Sequence, residues 1–99
     1  MPTKLTDAQI QAELGKLSGW EVQDGLLLKE FSFNNYLDGV AFASAVGVVC
    51  EGIGHHPEEL NIGYQRVRLS FITHDIGNAL SDADFQTAAA VDALGFPKA

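Results

Sequence analysis

At 99 residues the chain is long enough for one domain with a modest core, and short enough that association with further copies would help to bury it. Lysine and arginine number 6 against 13 aspartates and glutamates, a net charge of −7 that disfavours direct binding to a phosphate backbone and excludes nucleic acid as a primary partner. The single cysteine, Cys50, cannot form an internal disulfide and falls in an apolar run, so a buried, reduced thiol accounts for it.

The N-terminus lacks the basic-then-apolar order of a secretory signal, and the longest uncharged run, Gly39 to Cys50, is too short to span a bilayer. These features predict a soluble, cytoplasmic protein without membrane attachment. Residues 3–17 carry a helix signal: Thr6 as N-cap, Gln9 as its capping-box partner, and Leu5 against Ile10 as a hydrophobic staple. Ile10, Leu14 and Leu17 give that helix one apolar stripe, and Gly15, Ser18 and Gly19 end it. Trp20 and Val22, then Asp24-Gly25, then Leu27, Phe31 and Phe33 spell a tight hairpin from Leu26 to Phe33 on its second arm, since Asp-Gly supplies the positive φ angles of a type I′ turn. Trp20 could stack on a flat ligand, but core packing is the expected role.

Asn34 or Asn35 caps a second helix expected over 36–51. Ala41, Phe42, Ala43, Ala45, Val46, Val48 and Val49 leave it almost no polar face, which predicts cover on both sides, by its own sheet and by a second subunit. Leu60–Tyr64 and Arg66–Thr73 follow as a second strand pair joined through Gly63–Gln65. On the later strand Val67, Leu69 and Phe71 point one way, and Arg66, Arg68, Ser70 and His74 the other. Ser81 caps a last helix over 82–94, with Gly95 and Pro97 beyond it. The expected fold is therefore α+β: one domain over 1–99, ordered α-β-β-α-β-β-α, with a four-stranded antiparallel sheet and its helices packed on one face.

All three histidines lie between Glu51 and Asp84. Histidine exchanges protons near neutrality, so such a cluster is a natural acid/base apparatus. His55 and His56 sit at the exit of the apolar helix, where Pro57 keeps His56 out of helical geometry. His74 ends a strand and by alternation faces away from the helix-packed core, which puts a pocket at the exposed face or rim of the sheet. Singly, each histidine reads more readily as a solvated loop or surface residue; three together with a carboxylate change the balance. Asp84 stands three residues after Ser81, the capping-box position, and this structural role alone accounts for its spacing and is favoured over a catalytic one. A zinc site is disfavoured, because adjacent His55 and His56 diverge and no Cys or His pair has zinc spacing.

The run Glu51, three residues, His55-His56-Pro57-Glu58, then Tyr64, His74 and Asp84 resembles the signature of the pterin-4a-carbinolamine dehydratases. Gly19-Trp20, the first hairpin and the Leu-Ser-Asp-Ala-Asp start of the last helix extend the resemblance over nearly the whole chain. It implies a lyase that removes water from 4a-hydroxytetrahydropterin to give quinonoid dihydropterin, in tetrahydropterin recycling, with no metal or redox cofactor. It further implies His55 and His74 as the acid/base pair and His56 as the group that orients the substrate hydroxyl. Glu51, four residues before His55, would support it from the same helix face if the helix continued past Gly52 and Gly54. Pro57, Glu58 and Asp84 complete the residues around the site, with Glu58 the weakest candidate. A homodimer or homotetramer is implied as well.

Two departures stand out: Glu59, where some members carry an aromatic residue, and Asn78, where glycine is frequent. An alternative reading makes the same fold a dimerisation or assembly cofactor, or a transcriptional coregulator with a protein partner, acting through its helix or sheet surfaces. The complete histidine set favours the enzyme.

Overall fold

In the computed structural model, which describes residues 2–95, α1 (Asp7–Leu14) starts as its residues require. Thr6 Oγ1 accepts the Gln9 N–H at 3.2 Å and the Gln9 side chain accepts the Thr6 N–H at 2.8 Å, satisfying two donors that the first turn would otherwise leave unpaired. The helix is shorter than the expected 3–17, because Gly15 caps it and Lys16 and Leu17 fold back in tight turns onto Glu13 and Leu14. Strands β1 (Glu21–Gln23) and β2 (Leu26–Ser32) then form the hairpin, with φ of 53° at Asp24 and 78° at Gly25. Two consecutive positive φ values match the twist of the strands they join.

Helix α2 (Tyr36–Ile53) is capped by Asn35, whose side chain accepts the Asp38 N–H at 2.9 Å. It runs past the expected end at 51, through Gly52, and stops at Gly54, which adopts a left-handed φ of 83°. The N–H groups of Gly54 and His55 both fall on the Cys50 carbonyl, so a glycine closure ends the helix before Pro57 can. By length and composition these 18 residues, with a mean hydropathy of 1.4, would suit a membrane span. However, Phe42, Val46 and Cys50 are fully buried in the protein's own core. The opposite side leaves Leu37, Val48 and Ile53 exposed, so the described residues cover one face of the helix and leave the other open.

Strands β3 (Glu59–Ile62) and β4 (Arg66–Phe71) complete an antiparallel sheet of order β1-β2-β4-β3. The β2–β4 register, from Leu27↔Phe71 to Ser32↔Arg66, puts Leu27, Phe31, Val67, Leu69 and Phe71 on one face. Against that face lie Phe42 and Val46 of α2 and Phe85, Ala88 and Val91 of α3 (Asp82–Asp92), with Ile10 and Leu14 of α1 at its margin. Phe31 and Phe42 meet with ring centroids 4.6 Å apart, and each such buried side chain stabilises the fold by about 1.5–3 kcal/mol. Trp20 belongs to this core, and its Nε1–H donates to Asp92 at 2.9 Å. Pro97, expected beyond the last helix, lies outside the described residues.

Candidate active site

Three chain reversals meet at one end of the sheet: the exit of α2, the segment after β4, and the start of α3. Beyond β4 the inward parity continues to Thr73, which is buried, while His74 opens a 3-10 turn (His74–Ile76). His74 is therefore on a turn three residues past the last strand residue, Phe71, not at the strand end. Thr73 and Ala79 exchange both backbone hydrogen bonds, at 3.0 and 3.2 Å, and the loop between them closes through Gly77 and Asn78, with φ of 84° and 59°. That closure sets Ser81 beside Thr73.

Asp84 is fully buried at this junction and serves three partners at once. One carboxylate oxygen, Oδ2, accepts the Ser81 N–H and the Thr73 hydroxyl, both at 2.9 Å; the other, Oδ1, lies 2.6 Å from His55 Nε2. The Ser81 hydroxyl in turn donates to Thr73 Oγ1 at 2.7 Å and accepts the Ala83 N–H at 3.1 Å. The capping box expected of Asp84 is present, and the same carboxylate is the partner of a site histidine, so the two roles do not compete. A carboxylate has no proton to give, so Nε2 carries the hydrogen. In a neutral ring the lone pair is then on Nδ1, which has no hydrogen-bond partner among the described residues. The imidazole lies near-parallel to Phe71, with 20° between the planes, and its side chain is only 14% exposed.

Glu51 does not support His55 from the helix face. The left-handed turn at Gly54 sends His55 toward Asp84, and Glu51 Oε1 meets His56 Nε2 instead, at 2.6 Å in an exposed pair. Glu58, the weakest candidate by sequence, lies 2.6 Å from His74 Nε2. His74 Nδ1 faces Asn78 Oδ1 at 2.5 Å. Both acceptors favour a ring protonated on both nitrogens: the hydrogen bond to Asn78 and then the bond to Glu58 raise the His74 pKa above its ordinary value, with Asp75 adding a smaller effect.

Each histidine thus has its own carboxylate, His55 with Asp84, His56 with Glu51 and His74 with Glu58. No group of three His, Cys, Asp or Glu side chains among the described residues is arranged to hold a metal ion. The three histidines line one open cleft of about 330 Å³, together with Pro2, Gly54, Ile72, Thr73 and Asp75. Pro57 does not line it; it sets the chain direction so that the Glu58 N–H can bond the Ser70 carbonyl at 2.8 Å and open the β3–β4 pairing. Tyr64, at 75% exposure, lies at the far turn of that hairpin and is not brought to the cleft.

Two contributors escaped the sequence reading. Thr73 had a usable signal, since a hydroxyl at an inward-facing parity must find a partner, and a capping serine was due nearby. Asn78 showed itself only as a departure from glycine, with nothing to say that its side chain would fold back on His74.

A family model described as pterin 4 alpha carbinolamine dehydratase matches residues 3–94. A protein of Solibacter usitatus named "Putative pterin-4-alpha-carbinolamine dehydratase" is 37% identical over 94 residues, covering 95% of this chain and 97% of that one. One of the same name from Bdellovibrio bacteriovorus is 40% identical over 93 residues, covering 91% and 77%. Among solved structures, the transcriptional coactivator/pterin dehydratase of Brucella melitensis superposes with a TM-score of 0.85 at 26% identity, covering 93% of this chain and 98% of that one. A pterin dehydratase-like protein described as a RuBisCO assembly factor in the alpha-carboxysome reaches 0.62 at 30% identity, covering 78% and 87%. With the family model spanning nearly the whole chain and relatives above one-third identity along almost all of it, the protein belongs to the pterin-4-alpha-carbinolamine dehydratase family.

Proposed function

We propose that the protein catalyses the dehydration of 4a-hydroxytetrahydropterin to quinonoid dihydropterin by acid/base catalysis from its histidines. The observation that carries this reading is the asymmetry of the two best-held imidazoles. His55, fixed by a carboxylate at Nε2, keeps a free lone pair at Nδ1; His74, pinned between two acceptors, favours a proton on each nitrogen. Loss of water needs both: a proton delivered to the departing hydroxyl, which is a poor leaving group as hydroxide, and a base for the proton on N5. In this scheme His74 is the donor, its Nε2–H passing from Glu58 to the departing hydroxyl while Nδ1–H stays on Asn78; His55 is the acceptor, and His56, exposed and seated on Glu51, orients the hydroxyl. Electrons stay within the substrate, so the step calls for no redox cofactor. A cleft of about 330 Å³ is within the range of small-molecule sites.

The reading carries a cytoplasmic protein in tetrahydropterin recycling. It also carries self-association as a homodimer or homotetramer, supported by the exposed Leu37, Val48 and Ile53 on α2. The same apolar face supports the second reading, a non-catalytic platform for a protein partner. The deciding experiment is the rate at which purified protein speeds the dehydration of synthetic 4a-hydroxytetrahydropterin, compared with His55→Ala and His74→Ala. The expected result is acceleration that falls about 10²–10⁴-fold in each variant. A folded wild-type protein that accelerates nothing overturns the enzyme reading and leaves the platform.

A further inference from the structure

We infer that Asn78 is a positioning residue which, together with Glu58, holds the His74 ring with a proton on both nitrogens, ready to act as the acid of the elimination; the inference rests on the dehydratase reading above. Asn78 adopts φ +59°, directly after Gly77 at +84°, so two successive residues occupy the left-handed region. Asparagine tolerates that region better than most side chains, yet glycine would adopt it without strain. The asparagine is therefore not explained by the turn alone.

What glycine could not supply is the side-chain carbonyl, which the reversal brings back over the start of the same turn, onto His74 Nδ1 at 2.5 Å. On the far side of the ring Glu58 Oε2 lies 2.6 Å from Nε2. Neither oxygen bears a proton, so the arrangement is complete only when the ring donates twice. The two contacts also fix the plane of a side chain that is 63% exposed and would otherwise rotate freely in water.

The other charged groups around the cleft do not replace this contact. Asp75 is beside His74 on the turn and Glu58 comes from the segment entering β3, while across the cleft His55 is committed to Asp84 and His56 to Glu51. Of the acceptors on the ring, only Asn78 reaches Nδ1. The direction of the pKa shift agrees, with the Asn78 bond as its largest cause.

The sign follows. Removing an acceptor that bonds the protonated ring lowers the His74 pKa, so the alkaline limb of kcat, where the acid loses its proton, moves to lower pH. The test is an NMR titration of the His74 ring nitrogens in the full chain, as wild type, Asn78→Gly and Asn78→Asp, beside the pH profile of dehydration for the same three proteins. Glycine keeps the backbone at ease; aspartate keeps an acceptor and tolerates the left-handed turn. The expected result is a midpoint and an alkaline limb both displaced to lower pH in Asn78→Gly, and both restored to or above wild type in Asn78→Asp. An Asn78→Gly protein that titrates like an active wild type overturns the inference alone. Displaced midpoints in proteins that dehydrate nothing overturn the dehydratase reading, and with it any role of His74 as an acid, because the titration needs no turnover.

Discussion

Asp84→Asn tests the centre of the site with the smallest change of shape. The carboxylate uses Oδ2 for two donors, the Ser81 N–H and the Thr73 hydroxyl, and Oδ1 for His55. An asparagine has one oxygen, and the side with two donors claims it. The amide NH2 then faces Nε2, where two N–H groups cannot bond each other, so the imidazole must carry its proton on Nδ1 instead. His55 then has no lone pair left at Nδ1, and the base is lost without loss of the ring. The expected fall in kcat is about 10²–10⁴, that is roughly 3–5 kcal/mol of barrier.

Stability should fall much less. The capping box survives, one charge-assisted hydrogen bond of about 1.5–3 kcal/mol is lost, and the cheaper burial of a neutral amide offsets part of it. In a domain of this size each kcal/mol lowers Tm by about 4–8 °C. Stopped-flow dehydration and thermal melting on the same preparation separate the two effects. An Asp84→Asn protein that is folded and keeps the wild-type kcat refutes the assignment of His55 as the base.

Two glycines of α2 should respond in opposite directions to the same change. Gly54→Ala forces a left-handed φ of 83° on a residue with a Cβ, at a cost of about 1–2 kcal/mol, although the methyl itself meets nothing within 4 Å. Gly52→Ala, inside the helix and equally free of neighbours, should stabilise by about 0.5–1 kcal/mol. Denaturant melts that shift the same way for both would contradict the glycine closure. Cys50 is fully buried and its thiol pKa is raised by that burial, so less thiolate is present at any given pH. A thiol reagent near pH 8 should therefore modify it only through opening of the fold, and native protein that reacts as fast as unfolded chain would show the packing of α2 to be wrong.

Much of the architecture was legible because it depends on local chemistry. Thr6 with Gln9, Asn35 and Ser81 cap helices through atoms two or three residues away, and Asp24-Gly25 reverses the chain through its own φ angles. Alternation at Val67, Leu69 and Phe71 set the core face, since a one-residue slip would expose all three. Boundaries were less well specified: α2 continued through Gly52, because burial of Phe42, Val46 and Cys50 outweighs the poor helix propensity of one glycine.

For the candidate site, the sequence by itself singled out the titratable groups that the fold pairs there: three histidines and the carboxylates Glu51, Glu58 and Asp84, by residue type and spacing. The tertiary structure decided who pairs with whom. His55 is 29 residues from Asp84 and His74 is 16 from Glu58, and no local rule spans such separations. Glu51 was matched to His55 by helical spacing, but that match needs a helix that reaches His55, and α2 ends at Ile53, two residues short; the left-handed Gly54 turns His55 away and delivers His56 in its place. Asp84 looked like a cap because capping is local; that it also holds an imidazole depends on α2 and α3 being brought together over the sheet. Residue identity sets what a group can donate or accept, while the tautomer and the charge it adopts follow from its neighbours, and in this protein those neighbours are supplied by the fold.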